Sequence, residues 1–250
     1  MILKDEAIAL RTYPFGNTSK IAVWLTRTHG KLATLAKGSQ RGRSPLLGQF
    51  DAFYRCEILF YAREQRQLHV LKECAALDAR PAFRRDWRAC AGASYVAGLA
   101  DRALPFGPMP WDAFGLVESE LGRMAARTPG PASLPRFELR LLRELGLAPD
   151  WDRCARCRGD LRGSAGWIDA GDGALRCAGC SEGRGKKVGA GALAALRGML
   201  GEGDPAPLAE GIFREIRDLA GGLLEHHADL AGKPRAAAFG ILAREGRGGG

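Results

Sequence analysis

Four of the seven cysteines fall into two matched pairs, Cys154-Ala-Arg-Cys157 and Cys177-Ala-Gly-Cys180, separated by nineteen residues. Two residues between cysteines let both thiolates of a turn reach one ion at about 2.3 Å, and two such turns close the tetrahedral shell of a structural zinc. The flanks suit that role. Gly159, Gly163, Gly166, Gly171 and Gly173 supply tight turns, and short strands are expected at Trp167 to Asp169 and Ala174 to Arg176, which together outline a zinc ribbon. A redox dithiol is the rival reading of a single Cys-x2-Cys, but it does not account for two matched pairs in a Gly-rich segment. Catalytic zinc keeps one ligand position for water, whereas Cys154, Cys157, Cys177 and Cys180 fill the shell. The expected cofactor is one structural zinc ion.

The second pattern is an absence. From Ala7 to Phe50 there is no Asp or Glu, in a chain that carries 28 of them. Residues 1–80 hold thirteen Lys or Arg against seven Asp or Glu, whereas residues 188–250 are slightly acidic. Such asymmetry suits a polyanionic partner, and nucleic acid before a membrane, because no basic amphipathic helix accompanies it. A solubilising face is the bland alternative. The cations with the right placement are Lys20, Arg27, Lys31, Lys37, Arg41 and Arg43, the last three in a Gly- and Ser-rich loop after an apolar strand. Clearing acids from such a segment removes repulsion toward a phosphate chain. Tyr13, Phe15 and Trp24 are candidate rings for stacking on bases, though rings in a small barrel more often belong to its core. Nothing in the pattern reads a base sequence, so binding is expected to be sequence-independent and salt-sensitive.

Other chemistry is missing. No Gly-x4-Gly-Lys-Ser/Thr occurs, and Gly183-Arg184-Gly185-Lys186-Lys187 lacks both the spacing and the hydroxyl of a phosphate-binding loop. Gly-x-Ser-x-Gly, His-Glu-x2-His and the His-x-Glu motif of zinc deaminases are absent too. His226 and His227 are adjacent and so point in different directions on a helix. No catalytic constellation emerges, and a protein that is not an enzyme is expected.

These sites need elements to position them, and 250 residues with 46% hydrophobic content suffice for one large core or several smaller ones. Ala7 to Arg11, Lys20 to Thr28, Leu32 to Ala36, Phe50 to Tyr61 and Leu68 to Leu71 read as five short strands, the strand number of the OB fold. After Pro81 the period becomes helical. Phe83, Trp87, Cys90, Ser94 and Leu99 form one stripe, and Phe114, Val117, Leu121 and Met124 another behind Asp112 as N-cap. A third helix has Ser133 as its cap and Phe137, Leu141, Leu142 and Leu145 as its stripe, and it stops at Gly146. Helices resume at Ala190 to Leu200 and after Pro207, where Ile212, Ile216, Leu219, Leu223, His227 and Leu230 line one side. The expected organisation is therefore α+β and multidomain: an OB-fold barrel over 1–80, a helical domain over 81–150 and 188–240, and an inserted four-cysteine zinc ribbon over 151–187. Residues 241–250, rich in Gly and Arg, are expected to be a disordered tail. Cys56, Cys74 and Cys90 read as small core residues. With no long apolar run and no signal-peptide pattern at residues 1–6, a cytoplasmic protein is expected.

In this order the parts resemble a known family. "DEAIALRTYPFGNTSKI", "T-x2-HGKL" and "AKGSQRGRS" are similar to the N-terminal domain of the bacterial recombination mediators called RecO, and "LPRFELRLLRELGLAPDWDRCARC", the paired cysteines and "FREIRDLAGGLLEHH" follow as they do in that family. The resemblance implies binding of single- and double-stranded DNA, annealing of complementary strands without ATP, and, with RecR, loading of RecA on DNA coated by single-stranded DNA-binding protein, whose acidic C-terminal tail is a further partner. It also implies a role in DNA repair at the nucleoid. By motif, Lys37, Arg41 and Arg43 fall in the family's basic loop, and Cys154, Cys157, Cys177 and Cys180 on its zinc ligands where members keep them. Gln40 stands where that loop is often basic, and Lys233-Pro234-Arg235 replaces a Leu-Lys-Ser-Arg pattern. An RNA-binding or transcription-associated zinc-ribbon protein is the alternative reading.

Overall fold

The structure, a computed structural model, describes residues 1–63, 67–169, 172–201, 207–228 and 232–243, with only the backbone of 227 and 228. Gly171, Leu230, the His227 side chain and the segment from Arg244 onward therefore lie outside the described residues. The chain divides into two compact units, Met1–Pro129 and Gly130–Gly250.

The first unit is built on a closed five-stranded barrel in the order β1-β2-β3-β5-β4, with β1 at Ile2–Phe15, β2 at Ser19–Thr26, β3 at Gly30–Ala36, β4 at Arg55–Tyr61 and β5 at Leu68–Asp78. The expected five strands are there, in an OB-like barrel. Closure depends on the length of β1, whose first half pairs with β4 (Ile2↔Tyr61 to Ile8↔Arg55) and whose second half pairs with β2 (Ala7↔Thr26 to Phe15↔Ser19). An irregularity between Ala9 and Arg11 turns the strand from one partner to the other. The fourth strand starts later than the sequence suggests: residues 50–54 precede it as irregular chain with a turn at 52–53, with Phe53 at φ 71° and its N–H donating to the Ala9 carbonyl at 2.7 Å.

Alternation along the strands decides what faces inward. Ala7, Ala9, Ala22 and Ala36 are small enough to admit the fully buried Trp24, whose Nε1 donates to Thr34 Oγ1 at 2.8 Å. Phe50, Ile58, Phe60, Leu71, Cys56 and Cys74 complete that core. The opposite face of β2, carrying Ile21, Val23 and Leu25, is also buried, because helices lie over it. Those helices are α1 (Ala82–Arg85), α2 (Trp87–Ala103), which packs on β1, and α3 (Ala113–Ala126), which packs on β1 and β2. Asp112 caps α3 by accepting from Gly115 N, as expected, and Asp86, which the sequence reading does not single out, caps α2 by accepting from Arg88 N and Ala89 N.

The expected stripe of α2 is wrong in part. Trp87 is 54% exposed and Ser94 is exposed, while Ala89, Gly92, Ala93, Val96, Ala97, Leu99 and Ala100 form the buried face. Alanine and glycine carry little hydrophobic signal but allow close approach of a helix to its neighbour.

The second unit contains α4 (Ser133–Glu144), α6 (Ala190–Leu200), α7 (Glu210–Ala228) and α8 (Lys233–Leu242), with α4, α6 and α7 packed together. Ser133 is the first helical residue of α4 and not its cap: Ala132 stands at the cap position, with no side-chain hydrogen bond. A further helix that the sequence pattern does not announce, α8, follows Gly232 at φ 106°. Arg235 of α8 turns inward and forms a fork with the fully buried Glu138 of α4, Nε to Oε1 at 2.8 Å and Nη2 to Oε2 at 2.9 Å, while Nη2 also donates to the Arg217 carbonyl of α7 at 2.6 Å. Gly221 makes room: a Cβ there would lie 2.8 Å from Arg235 Nη1. Between α4 and α6 sits a small sheet in the order β7-β6-β8, from β6 (Gly166–Ile168), β7 (Leu175–Arg176) and β8 (Lys186–Val188), with the one-turn helix α5 (Ala178–Ser181) after β7. Among the described residues, no helix is long and apolar enough to cross a membrane.

Candidate nucleic-acid interface and metal centre

At one end of the barrel the β1–β2 hairpin and the loop after β3 meet. Gly16, at φ 61°, turns the hairpin, and the loop folds back on it through Gly38 N to Ser19 Oγ at 3.1 Å and Gln40 N to the Thr18 carbonyl at 2.9 Å. The loop is a run of turns, with Gly38 at φ 63° and Ser39 buried beneath it. These bonds hold Lys37, Arg41 and Arg43 outward, all three exposed. Lys20 joins them from the strand: it pairs with Pro14 on one side and Ala36 on the other, and its Nζ lies 5.9 Å from the centre of the Phe50 ring. Four of the six expected cations thus share one end.

The other two do not. Arg27 and Lys31 lie at the far end of the β2–β3 hairpin, and the seven residues from Lys20 to Arg27 span about 23 Å at the rise of a strand. Arg27 is ion-paired with Glu6 at 3.0 Å and lies over the buried Phe114 ring at 4.3 Å. Lys31 is 5% exposed. Its Nζ donates to the carbonyls of Asp101 and, at 2.7 Å, Leu104, sits 3.3 Å from Asp101 Oδ1, and faces the Phe106 ring at 4.6 Å. Those carbonyls belong to the end of α2, where four backbone acceptors lack helical partners. Lys31 is therefore a cap and counter-ion for a helix terminus, and the expectation that it faces a phosphate chain gives way to its burial. The backbone agrees: Lys31 and Gly107 exchange hydrogen bonds at 3.1 and 2.8 Å, and a Cβ on Gly30 would fall 1.8 Å from the Gly107 carbonyl oxygen.

Of the candidate rings, Trp24 is core, whereas Tyr13 and Phe15 are 39% and 51% exposed at the hairpin end. Arg11 lies over Tyr13 at 5.3 Å while pairing with Asp101 at 3.4 Å.

In the second unit the four cysteines converge: their sulfurs all lie within 4.8 Å of one another, and Cys157 Sγ and Cys177 Sγ are 3.9 Å apart. Tetrahedral thiolates about 2.3 Å from a zinc ion are about 3.8 Å apart, so the cluster fits a metal such as zinc. The first knuckle is closed by Cys154 N to the Gly159 carbonyl and Arg158 N to the Cys154 carbonyl, both 2.9 Å, with Arg158 at φ 60°. In the second, Cys180 N and Ser181 N donate to the Cys177 carbonyl at 3.1 and 2.9 Å. Burial pushes the Cys154 thiol up, but N–H groups of Cys157, Cys177 and Arg156 point at its sulfur and bring it down to about 6. Contacts with the Cys177 and Cys157 thiols push Cys180 up to about 12. Four crowded sulfurs cannot all ionise by themselves, and a divalent cation removes that conflict. The expected ribbon strands are present as β6 and β7. The third, β8, pairs with β6 through Gly166↔Val188, Trp167↔Lys187 and Ile168↔Lys186, and its Lys-Lys sequence concealed it.

The cations of the ribbon are largely neutralised. Arg156 pairs with Glu182 at 2.5 Å, Arg158 with Asp150 at 3.3 Å, and Lys186 approaches Asp218 at 4.0 Å.

Residues 1–80 match the family model described as Recombination protein O N terminal, and residues 84–235 the one described as Recombination protein O C terminal. The chain is 34% identical over 232 residues to the DNA repair protein RecO of Anaeromyxobacter dehalogenans strain 2CP-C, covering 90% of this chain and 91% of that one. It is 31% identical over 227 residues to DNA repair protein RecO of Myxococcus xanthus, covering 89% and 91%. With its counterpart from Geobacter metallireducens it shares 31% identity over 193 residues, covering 77% and 78%.

Proposed function

We propose that this chain, which belongs to the RecO family of DNA repair and recombination proteins, binds single- and double-stranded DNA and anneals complementary strands without a nucleotide cofactor. On this reading it is a mediator and not an enzyme. It acts in the cytoplasm at the nucleoid and, with RecR, helps load RecA on DNA coated by single-stranded DNA-binding protein. The observation that carries the reading is the cationic end of the barrel, where Lys20, Lys37, Arg41 and Arg43 stand together on a segment without acids.

Annealing requires two phosphate chains to be held close while they search for register, and a cationic loop supplies that by screening them. The strands meet no fixed base-reading group, so wrong registers are released as readily as they form. Arg153 and Lys187 of the ribbon are candidates for a second contact. One zinc ion held by Cys154, Cys157, Cys177 and Cys180 supplies folding energy to a ribbon whose own strands have two or three residues. For the acidic tail of the single-stranded DNA-binding protein, we assign the cleft of about 420 Å³ between α1, α2 and the end of α3, lined by Ala82, Ala89 and Met124 with Arg85 and Arg127, where Asp78 faces Arg80 at 3.8 Å and Asp86 is taken up by the α2 cap.

The test is the annealing rate of two complementary oligonucleotides precoated with single-stranded DNA-binding protein, measured without ATP. Acceleration by this protein is the expected result. Binding of naked strands with no annealing of coated ones would reduce it to a nucleic-acid-binding module, and preference for RNA would favour the other reading of its barrel and ribbon.

A further inference from the structure

OB folds commonly take nucleic acid on the face of strands 2 and 3 and on the adjoining loops. Here the outward face of β2 is closed. Ile21, Val23 and Leu25 are at most 6% exposed, α3 packs against this strand, and Lys31 of β3 is locked to the 107 segment. A strand of nucleic acid has no access there without displacing helices.

What remains open is the end of the barrel, and it carries two rings as well as four cations. Tyr13 and Phe15 are two residues apart on β1, so their side chains leave the same face of the strand. Each is markedly exposed, in a hairpin whose tip hydrogen-bonds to the basic loop. A β-strand places alternate residues about 6.6 Å apart, a spacing that an extended nucleic-acid chain can match base by base. Pro14 between them fixes one backbone dihedral, and Arg11 packs over Tyr13 on its other side. Large rings held out in water at the hairpin end of β1, beside cations with no acidic partner among the described residues, match the composition of a single-strand platform. Asp51 is the neighbouring carboxylate, and its Oδ1 accepts from Thr12 Oγ1 at 3.3 Å and Ala52 N at 2.9 Å.

We infer that Tyr13 and Phe15 form a stacking ledge for unpaired bases, with Lys37, Arg41 and Arg43 of the adjoining loop taking the phosphates, so that this end of the barrel selects single strands over duplex. The ledge rests on the DNA-binding reading above and adds the strand choice to it. In a duplex the base faces are already stacked, so only the cations are engaged. On a single strand both rings and cations are.

The experiment is equilibrium binding of an oligo(dT) and of a blunt duplex of the same length, over a range of salt, to the intact protein and its variants. Tyr13→Ala with Phe15→Ala is expected to weaken single-strand binding at least tenfold, leave duplex binding within twofold, and leave the salt slope unchanged. Lys37→Ala with Arg41→Ala and Arg43→Ala is expected to weaken both and flatten both slopes. Phe15→Trp, which keeps a ring, should retain single-strand affinity, and its fluorescence should be quenched on binding; Phe15→Leu, which keeps only the bulk, should not retain it. Equal losses on both ligands, or no loss, in the double aromatic variant overturns the ledge while the DNA-binding reading stands. Failure of the intact protein to bind either DNA overturns both.

Discussion

Lys31 separates a cation that serves the fold from one that serves a ligand, and replacing it by Met removes the charge while keeping most of the stem. Four interactions of Nζ are lost: those to the carbonyls of Asp101 and Leu104, the pairing with the Asp101 carboxylate, and the contact with the Phe106 ring. Leaving a buried acceptor unsatisfied costs about 1–3 kcal/mol, and breaking a buried ion pair about 3–5 kcal/mol. Two features reduce the sum. Arg11 still faces Asp101, and the carbonyls lie at a helix terminus that water can reach once the ammonium is gone. A net loss of about 2–3 kcal/mol is expected, or about 8 °C in the melting temperature of a unit this size. Circular dichroism melts give that number. Single-strand binding below the transition gives the other half, a salt slope equal to that of the unchanged protein, whereas Lys37→Ala lowers it by about 0.7 without moving the melt. A Lys31→Met protein that melts normally and loses about 0.7 from its slope would refute the assignment of Lys31 to the helix end.

The remaining expectations concern other parts of the molecule. Purified protein should carry one equivalent of zinc, and Cys157→Ser or Cys180→Ser should reduce it and unfold the ribbon, as read by metal analysis and by proteolysis within residues 151–187; metal-free protein with a protease-resistant ribbon would contradict the structural role. Arg235→Met should destabilise the second unit by about 3 kcal/mol, because Glu138 is left buried without its fork, while Glu138→Gln with Arg235→Met should recover much of that loss in chemical denaturation. Burial raises the Asp5 carboxyl, but hydrogen bonds from His29 Nδ1 and from the hydroxyl and N–H of Thr28 outweigh it and leave its pKa lowered. Asp5 therefore stabilises the fold above its unfolded pKa of about 4, and that contribution disappears as pH falls through the lower folded value. Asp5→Asn should flatten the acid limb of a stability–pH curve.

Some of this was written plainly in the sequence. Two Cys-x2-Cys turns announce a four-cysteine cluster fit for a metal ion because the spacing itself makes the geometry, and the cluster forms from residues close along the chain. Five strands were legible from alternation and turn residues, and Asp112 from its place before an apolar period. What stayed hidden depended on partners distant in the chain. The buried face of α2 is mostly alanine and glycine, whose value lies in how close a neighbour can come, so Trp87 and Ser94 looked as good as Ala93 and Val96. β8 is two lysines and a valine, and only its pairing with β6 makes it a strand.

The cations make the same point most sharply. Lys31 and Lys37 are six residues apart in an acid-free stretch, and by composition they are equivalent. The absence of acids is local to the sequence, however, and the helices bring acceptors from elsewhere: Asp101 and two carbonyls reach Lys31, while none of the described carboxylates pairs with Lys37. A segment can lack negative charge for two reasons, to face a polyanion, as we propose for the Lys37 end, or to receive the negative end of a helix, as the Lys31 end does. The distinction is made by the roughly 23 Å of strand between Lys20 and Arg27, a length that puts the two ends of one basic segment in different surroundings, one beside the end of α2 and one beside the β1–β2 hairpin.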